Sequence, residues 1–491
     1  MKNRILLSLI ALVLGTSWVM AQQPELQYFR KWNKEGINVF EPSKTADQPE
    51  FTGIKVRIGG AFTQGYQNLT HENKANYVAT SADIATNKNL LYGINKGVDS
   101  TSATLGGFNL AMANLNFDIQ IEDGIRVCLE NYMSARHHSE FWVKGGYIQM
   151  DKLPMFGSPD WFTNTFRVKI GHFQPNFGDQ QFRRSDGGNT LFNPFGENLI
   201  LDAFTTEIGT ELYAFPAKGL MIMGGLSSGF INGNILTPVN SSKNADGEDV
   251  NNFGVVPTKR TPSLFGKVAY DNEFGSVRVR LSASVYNNSN IQRNTLFAGD
   301  RTGSHYFGVM EPATINGLPT SISTSNTGQG GPNFTSGRFD PGVANRLTAV
   351  CFNPFVKAGG LEFFAGYTLL NGSNYGDTLA GDWNTRNWTQ LNAELLYRFL
   401  ANEQMYVGAR YIQASGEPFG MKYSSDDAGQ EAGAQATVGI DRISVAAGWF
   451  PTKNMLLRAE YVIQNYTDFP YRDYRNEGKF SGFMIDAVIG F

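Results

Sequence analysis

The chain has 491 residues, more than one soluble domain usually holds, and a formal charge of −3. Losing Lys2 and Arg4 with a leader takes that charge to −5 (−3 − 2), so no basic surface points to nucleic acid. Aromatic residues make up 13% and Gly numbers 54, a profile of short strands, tight turns and interfacial rings that one large barrel explains better than several soluble domains.

Met1 to Ala21 reads as a signal peptide: basic Lys2 and Arg4, an apolar core from Ile5 to Leu14, and a small residue at the cut. Gln22 rather than Cys follows, so a lipoprotein is not expected. Residues 22–50 are polar, carry Pro24, Pro42 and Pro49, and predict a periplasmic N-terminal tail. Beyond the leader no run of about 18 apolar residues occurs, so no membrane-crossing helix is predicted. Cys128 and Cys351 fall in different predicted strands and are expected to stay unpaired.

Over residues 51–491 predicted strands of about 9 to 12 residues alternate with two kinds of connection. The short kind is built from turn-forming residues: Glu122–Gly124, Pro216–Gly219, Asp271–Gly275, Lys357–Gly360, Ala401–Glu403 and Pro451–Asn454. The long kind is rich in Gly, Asn and Ser: Asn68–Phe108, Gln174–Ala203, Ile231–Pro262, Asn288–Arg346, Asn371–Trp388, Ser415–Gly433 and Asn465–Lys479. This asymmetry predicts an all-β fold, a transmembrane antiparallel β-barrel of about 16 strands with short periplasmic turns and long outer loops. The connection after Arg136 and the stretch Asp151–Thr165 fit that scheme least well.

Alternation supports the same scheme, because successive side chains of a strand point to opposite faces. Ala111–Ile121 sets Leu115, Phe117 and Ile119 against Asn114, Asn116 and Asp118; Val277–Val285 sets Val, Leu and Ala against Arg278, Arg280, Ser282 and Ser284. In Phe480–Phe491 the residues Phe483, Ile485, Ala487, Ile489 and Phe491 share a face, and the ending resembles the C-terminal signature strand of Gram-negative outer-membrane proteins. Rings near strand ends (Tyr213 and Phe215, Tyr270 and Phe274, Tyr397 and Phe399, Trp449 and Phe450) predict two interfacial girdles.

Val168–Gln181, VKIGHFQPNFGDQQ, resembles the strand-and-loop motif of the phosphate-selective porin O and P family, through Gly171, Phe173 and Pro175, continued by Asn176-Phe177-Gly178. The resemblance implies a trimeric, 16-stranded outer-membrane channel whose lumen passes phosphate or polyphosphate along basic side chains. It also implies a third extracellular loop folded inward as the constriction. The loop Gln174–Ala203 takes that place, with Arg183, Arg184, Asp186 and Glu197 as constriction charges and Phe192, Phe195 and Leu199 as wall anchors. A solvated surface loop is the plainer reading.

Alternation assigns Arg126, Arg167, Lys169, Lys267, Arg278, Arg280, Arg398, Arg410 and Arg458 to the pore lining, against Asp118, Glu130, Glu207, Glu211, Glu362, Glu394, Glu460 and Asp486. Nine bases against eight acids nearly balance. Glu207 and Glu211 also sit on the strand beside Arg167 and Lys169. The expected function is therefore weakly selective passive diffusion of small hydrophilic solutes and ions, and an anion or phosphate preference stays open. It rests on Arg183 and Arg184, whose adjacent guanidiniums suit an oxyanion.

The expected partners are outer-membrane lipid and two further copies of the chain; no cofactor or metal is called for. His71, His137, His138, His172 and His305 fall in no catalytic motif, and Asn244–Asp249 lacks the later ligands of a calcium loop, so no enzyme activity is expected. Two alternatives remain. Residues 22–50 entering the lumen would make a gated uptake barrel for a specific nutrient, and the long loops, notably Asn288–Arg346, would suit a binding or adhesive protein.

Overall fold

The computed structural model describes residues 23–74, 91, 102–133, 141–229, 242–243, 249–250, 261–291, 293–298, 305–311, 314–315, 318–319, 337–379, 382–471 and 473–491. The signal peptide, His137, His138 and most of Asn244–Asp249 lie outside the described residues.

Sixteen antiparallel strands close into one barrel. They are β1 (Lys55–Glu72), β2 (Ser102–Glu122), β3 (Ile125–Met133), β4 (Trp142–Met150), β5 (Phe166–Phe173), β6 (Glu207–Ala217), β7 (Leu220–Ser227) and β8 (Ser263–Phe274). The second half comprises β9 (Val277–Asn288), β10 (Arg346–Ala358), β11 (Leu361–Ser373), β12 (Arg386–Phe399), β13 (Met405–Gly416), β14 (Val438–Thr452), β15 (Met455–Thr467) and β16 (Lys479–Gly490). Each strand pairs with its neighbours in sequence, and β1 pairs with β16 from Ala61↔Gly490 to Glu72↔Lys479 to close the wall. Phe491 continues that seam: its N–H and C=O bond Gly60 and its ring stacks 5.8 Å from Phe62.

The barrel is apolar outside and polar inside. Leu212, Leu281, Leu395 and Ile485 are more than half exposed, while Arg410, Arg442, Arg458, Glu211, Glu362 and Asp486 are at most 2% exposed. Neighbouring strands pair all the way round a closed wall with no free edge, the condition for crossing hydrocarbon without a helix, and the outward side chains supply the matching apolar belt. The molecule is an outer-membrane β-barrel.

Several expectations need adjustment. β1 and β2 run to 18 and 21 residues, well past the predicted strand lengths, so the first long connection spans only 73–101. The turn after β8 tightens to Gly275-Ser276. Asp151–Thr165 is a short-rim connection that stays long because it holds a 3-10 turn (Pro154–Phe156) and a single helical turn (Asp160–Thr163). Of the girdle residues, Tyr270, Phe274, Tyr397 and Trp449 face outward. Tyr213 and Phe450 are buried on the lumen side, because residues adjacent on a strand cannot both face lipid and Tyr213 finds an acceptor in Glu211 2.6 Å away. Cys128 and Cys351 are buried free thiols.

Residues 23–50, expected as a periplasmic tail with entry into the lumen as the alternative, pack against the inward faces of the wall at the short-turn end, with Leu26, Phe40 and Asn38 each under 9% exposed. Their regular structure is one 3-10 turn, Lys34–Gly36, capped by Asn33, whose side chain accepts from the Glu35 N–H. The segment enters by polar contacts and by scattered apolar ones that follow no period: Phe40 packs with Phe355 and Phe364, and Trp32 and Ile37 pack against the cluster around Phe192 and Phe195.

Candidate functional site

The connection between β5 and β6, residues 174–206, is the third on the long-connection side and folds into the lumen. Pro175 ends β5, and Gly178 and Gly188 take left-handed backbone (φ 67° and 77°) that redirects the chain inward. Residues 189–202 are buried throughout. The loop reaches the opposite wall, where strand side chains bond its backbone. Arg458 donates to the Asn193 carbonyl (2.7 Å), Tyr406 to the Pro194 carbonyl (2.9 Å) and Arg442 to the Asn198 carbonyl (2.7 Å). Gln390 bonds both the N–H and the C=O of Leu201. Phe192, Phe195 and Leu199 are buried as anchors, so the solvated-loop reading is set aside. Part of a second long connection joins it: the Phe339 N–H bonds the Ile200 carbonyl, and Arg338 lies 3.3 Å from Glu197 and 3.1 Å from Asp202.

Within this loop the four proposed constriction residues part company. Arg183 spans two wall carboxylates, Glu362 and Glu394, each at 2.8 Å. Arg184 turns away to Asp202 at 2.6 Å, with its guanidinium over the Phe204 ring. The pair therefore presents no shared oxyanion fork. Glu197 accepts from the backbone N–H of His305 (2.6 Å) and of Asn198 (2.7 Å). The side chain of Asp186 lies outside the described residues.

The residues expected to line a pore lie on the inward face of the wall, and most of the bases meet a carboxylate. Arg126 bonds Asp118; Arg167 bonds Asp151 (2.8 Å); Arg278 bonds Asp271 (2.7 Å); Arg398 bonds Glu362 (2.8 Å); Arg458 bonds Asp486. Lys267 and Arg280 share Asp179, at 2.6 and 2.8 Å. Lys169 is 3.8 Å from its cross-strand neighbour Glu211 and rests over Tyr147 and Phe173, while Arg410 is 3.9 Å from Glu394. Glu207 accepts from Tyr286 and Ser227, and half-buried Glu130 lines a chamber described below.

Sequence reading missed Asp179, Asp151, Asp202, Glu41 and Arg442. Arg442 shares the inward parity of Ile440 and Ser444, and that parity was its signal. The others sit in connections where no periodicity exists. For Asp179 and Glu41, burial alone would raise the carboxyl pKa, yet Arg280 and Lys267 outweigh it and hold both groups below the usual carboxylate range.

Among the described residues two cavities lie in the short-turn half. A vestibule of about 640 Å³ lies at the rim among Asp271, Lys218, Lys44 and Arg278. An inner chamber of about 190 Å³ lies between segment 23–50, the inward loop and β2–β6, and is lined by Arg126, Glu130, Lys144, Lys169, Tyr147 and Cys128. Phe29, Phe40, Glu41 and Pro42 border both spaces and stand between them.

No family model matches the chain, and no curated protein matches it. Similar solved structures include the outer membrane channel DcaP of Acinetobacter baumannii, 12% identical over 91% of this chain and 100% of that one, with a TM-score of 0.46. The outer-membrane expressed OmpT of Vibrio cholerae is 9% identical over 90% and 99% of the two chains, with a TM-score of 0.45. OprB of Pseudomonas putida is 11% identical over 88% and 94%, with a TM-score of 0.41. The fold assignment rests on this chain's own strand pairing.

Proposed function

We propose that this protein is an outer-membrane diffusion channel for small hydrophilic solutes and ions, narrowed from within by residues 174–206. The observation that carries the reading is the loop crossing the lumen to bond Arg442, Arg458, Tyr406 and Gln390 on the far wall. A barrel of sixteen strands is wide enough for an aqueous channel, and a loop fixed across it sets the size limit. Ion selectivity is weak. Arg183, Arg184, Lys267, Arg280, Arg398 and Arg458 each lie within 3 Å of a carboxylate oxygen, so little net charge is left to attract a phosphate. Homotrimeric assembly belongs to the same proposal and is tested by native mass spectrometry.

Planar-bilayer recording under a tenfold salt gradient tests the reading. Discrete conductance steps with a zero-current potential near zero are expected. Silence refutes the channel, and a large anion-selective potential refutes the weak selectivity. A second reading, a barrel that opens only when its N-terminal segment moves, is favoured by the placement of residues 23–50.

A further inference from the structure

We infer that residues 23–50 form a releasable strap that closes the short-turn half of the lumen, with Glu41 as its catch. The inference rests on the channel reading. The strap residues Phe29, Phe40, Glu41 and Pro42 separate the vestibule from the inner chamber, so moving them joins the two spaces.

What marks the strap as releasable is the form of its anchors. Glu41 lies 2.7 Å from Arg280 and 3.2 Å from Lys267, but both cations also hold Asp179, which belongs to the inward loop and stays behind. Lys44 lies 3.2 Å from Asp151, which keeps Arg167 at 2.8 Å. Asn38 donates to Glu362 (2.6 Å), which keeps Arg183 and Arg398. At Asp151 and Glu362 the wall ion pairs are complete without the strap, whereas at Asp179 two cations share one wall carboxylate and Glu41 is the second acid of a four-charge cluster. Deleting one partner of a buried ion pair is costly because the other charge is stranded. Withdrawing the strap leaves the pairs at Asp151 and Glu362 intact and leaves Lys267 and Arg280 to share Asp179, with the Asn176 and Gly178 oxygens still on Lys267 and Asp271 3.6 Å from Arg280, while Glu41 and Lys44 move into water.

The remaining contacts suit the same motion. Arg30 donates to the Phe182 carbonyl (2.8 Å) and to Asn189 (3.1 Å), Gln27 exchanges bonds with Gln120, and Phe40 packs edge-on against Phe182 and Phe355. No strand ladder holds residues 23–50, whereas the inward loop is tied to strands at both ends. Both pack against buried rings, Phe40 with Phe355 and Phe364 and Trp32 and Ile37 against the cluster around Phe192 and Phe195, so the missing ladder is what places the strap toward the low-stability end of the fold.

The test compares the full chain, Glu41→Lys and a deletion of residues 23–50 in planar bilayers, each checked for barrel folding by heat-modifiable gel migration. Lysine at position 41 faces Lys267 and Arg280 and expels the strap. A rise of at least about twofold in unitary conductance is expected for both variants, since a constriction in series is removed. A second readout is Cys128, 2% exposed in the inner chamber, probed in a Cys351→Ser background with a small charged methanethiosulfonate. Labelling about tenfold faster in the variants is expected once local opening no longer limits access. Equal conductance and equal labelling across all three proteins overturn the strap while leaving the channel standing. Faster labelling without any current supports the strap and overturns the channel. If the deletion does not fold, Glu41→Lys alone decides by the same two readouts.

Discussion

Replacing Arg183 with alanine removes the one side chain of the inward loop that spans two wall carboxylates. The loss is unequal. Glu362 keeps Arg398 at 2.8 Å, but Glu394 is left with Arg410 at 3.9 Å. Stranding a buried charge in this way costs about 3–5 kcal/mol in a folded protein. The lumen also gains one net negative charge beside the loop. A charge about 7 Å from a permeating ion in water-like dielectric is worth roughly 0.6 kcal/mol, or about a threefold change in the cation-to-anion ratio. Urea unfolding of the protein in lipid vesicles reads the first effect, and the zero-current potential across a salt gradient reads the second. The midpoint is expected to fall and the potential to move toward cations. Arg183→Lys keeps the charge but not the fork, so it is expected to restore the potential and only part of the stability. An Arg183→Ala channel with wild-type potential would place the conduction path away from this loop and refute the reasoning.

Leu281→Arg puts a charge on the outer face midway along β9 and is expected to cost about 2–4 kcal/mol in vesicle unfolding, the cost of a cation near the bilayer midplane. A near-neutral result removes that face from the lipid. Gly448 pairs with Tyr406, and an added Cβ would lie 2.1 Å from its ring, so Gly448→Ala displaces the Tyr406 hydroxyl from the Pro194 carbonyl. Overpacking of about 1–3 kcal/mol is expected, with noisier single-channel current as the loop loses that anchor; a quiet, fully stable variant contradicts it. Glu41 faces Arg280, Lys267 and Asp179, and both carboxyls are held below the usual range despite burial. Their contribution is complete above the ordinary carboxylate pKa and disappears as pH falls through the lowered values, so conductance should stay flat from pH 8 to 5 and rise only below about pH 4. A rise between pH 7 and 5 would point to a different catch.

The wall of this barrel was legible because lipid and water impose a period of two on every strand. Ser282 and Ser284 face in and Leu281 and Val285 face out as the alternation in Val277–Val285 requires. Some of the pairing was legible too, since Glu394↔Arg410 and Arg458↔Asp486 are direct cross-strand neighbours once the register is known. The inward course of residues 174–206 followed from its family resemblance and its buried-type rings. What it does with its arginines did not. Arg183 meets Glu362 and Glu394, 179 and 211 residues away, and no local pattern encodes such a meeting. The lumen position of residues 23–50 was legible only as an alternative, because their polar composition reads equally as exposure to solvent and their scattered apolar residues, such as Trp32, Ile37 and Phe40, form no stripe.

The strap also bears on the order in which the molecule is assembled. The backbone N–H of Lys34 bonds the Lys453 carbonyl at 2.7 Å, and Asn38 meets Glu362, so an early stretch of the chain is seated by strands made much later. The inward loop likewise takes its bonds from β12, β13, β14 and β15. Neither can settle before the last strands arrive, and contacts so distant in sequence form slowly. The contents of the lumen thus act as an internal gauge of completion, fitting only a wall that has already closed.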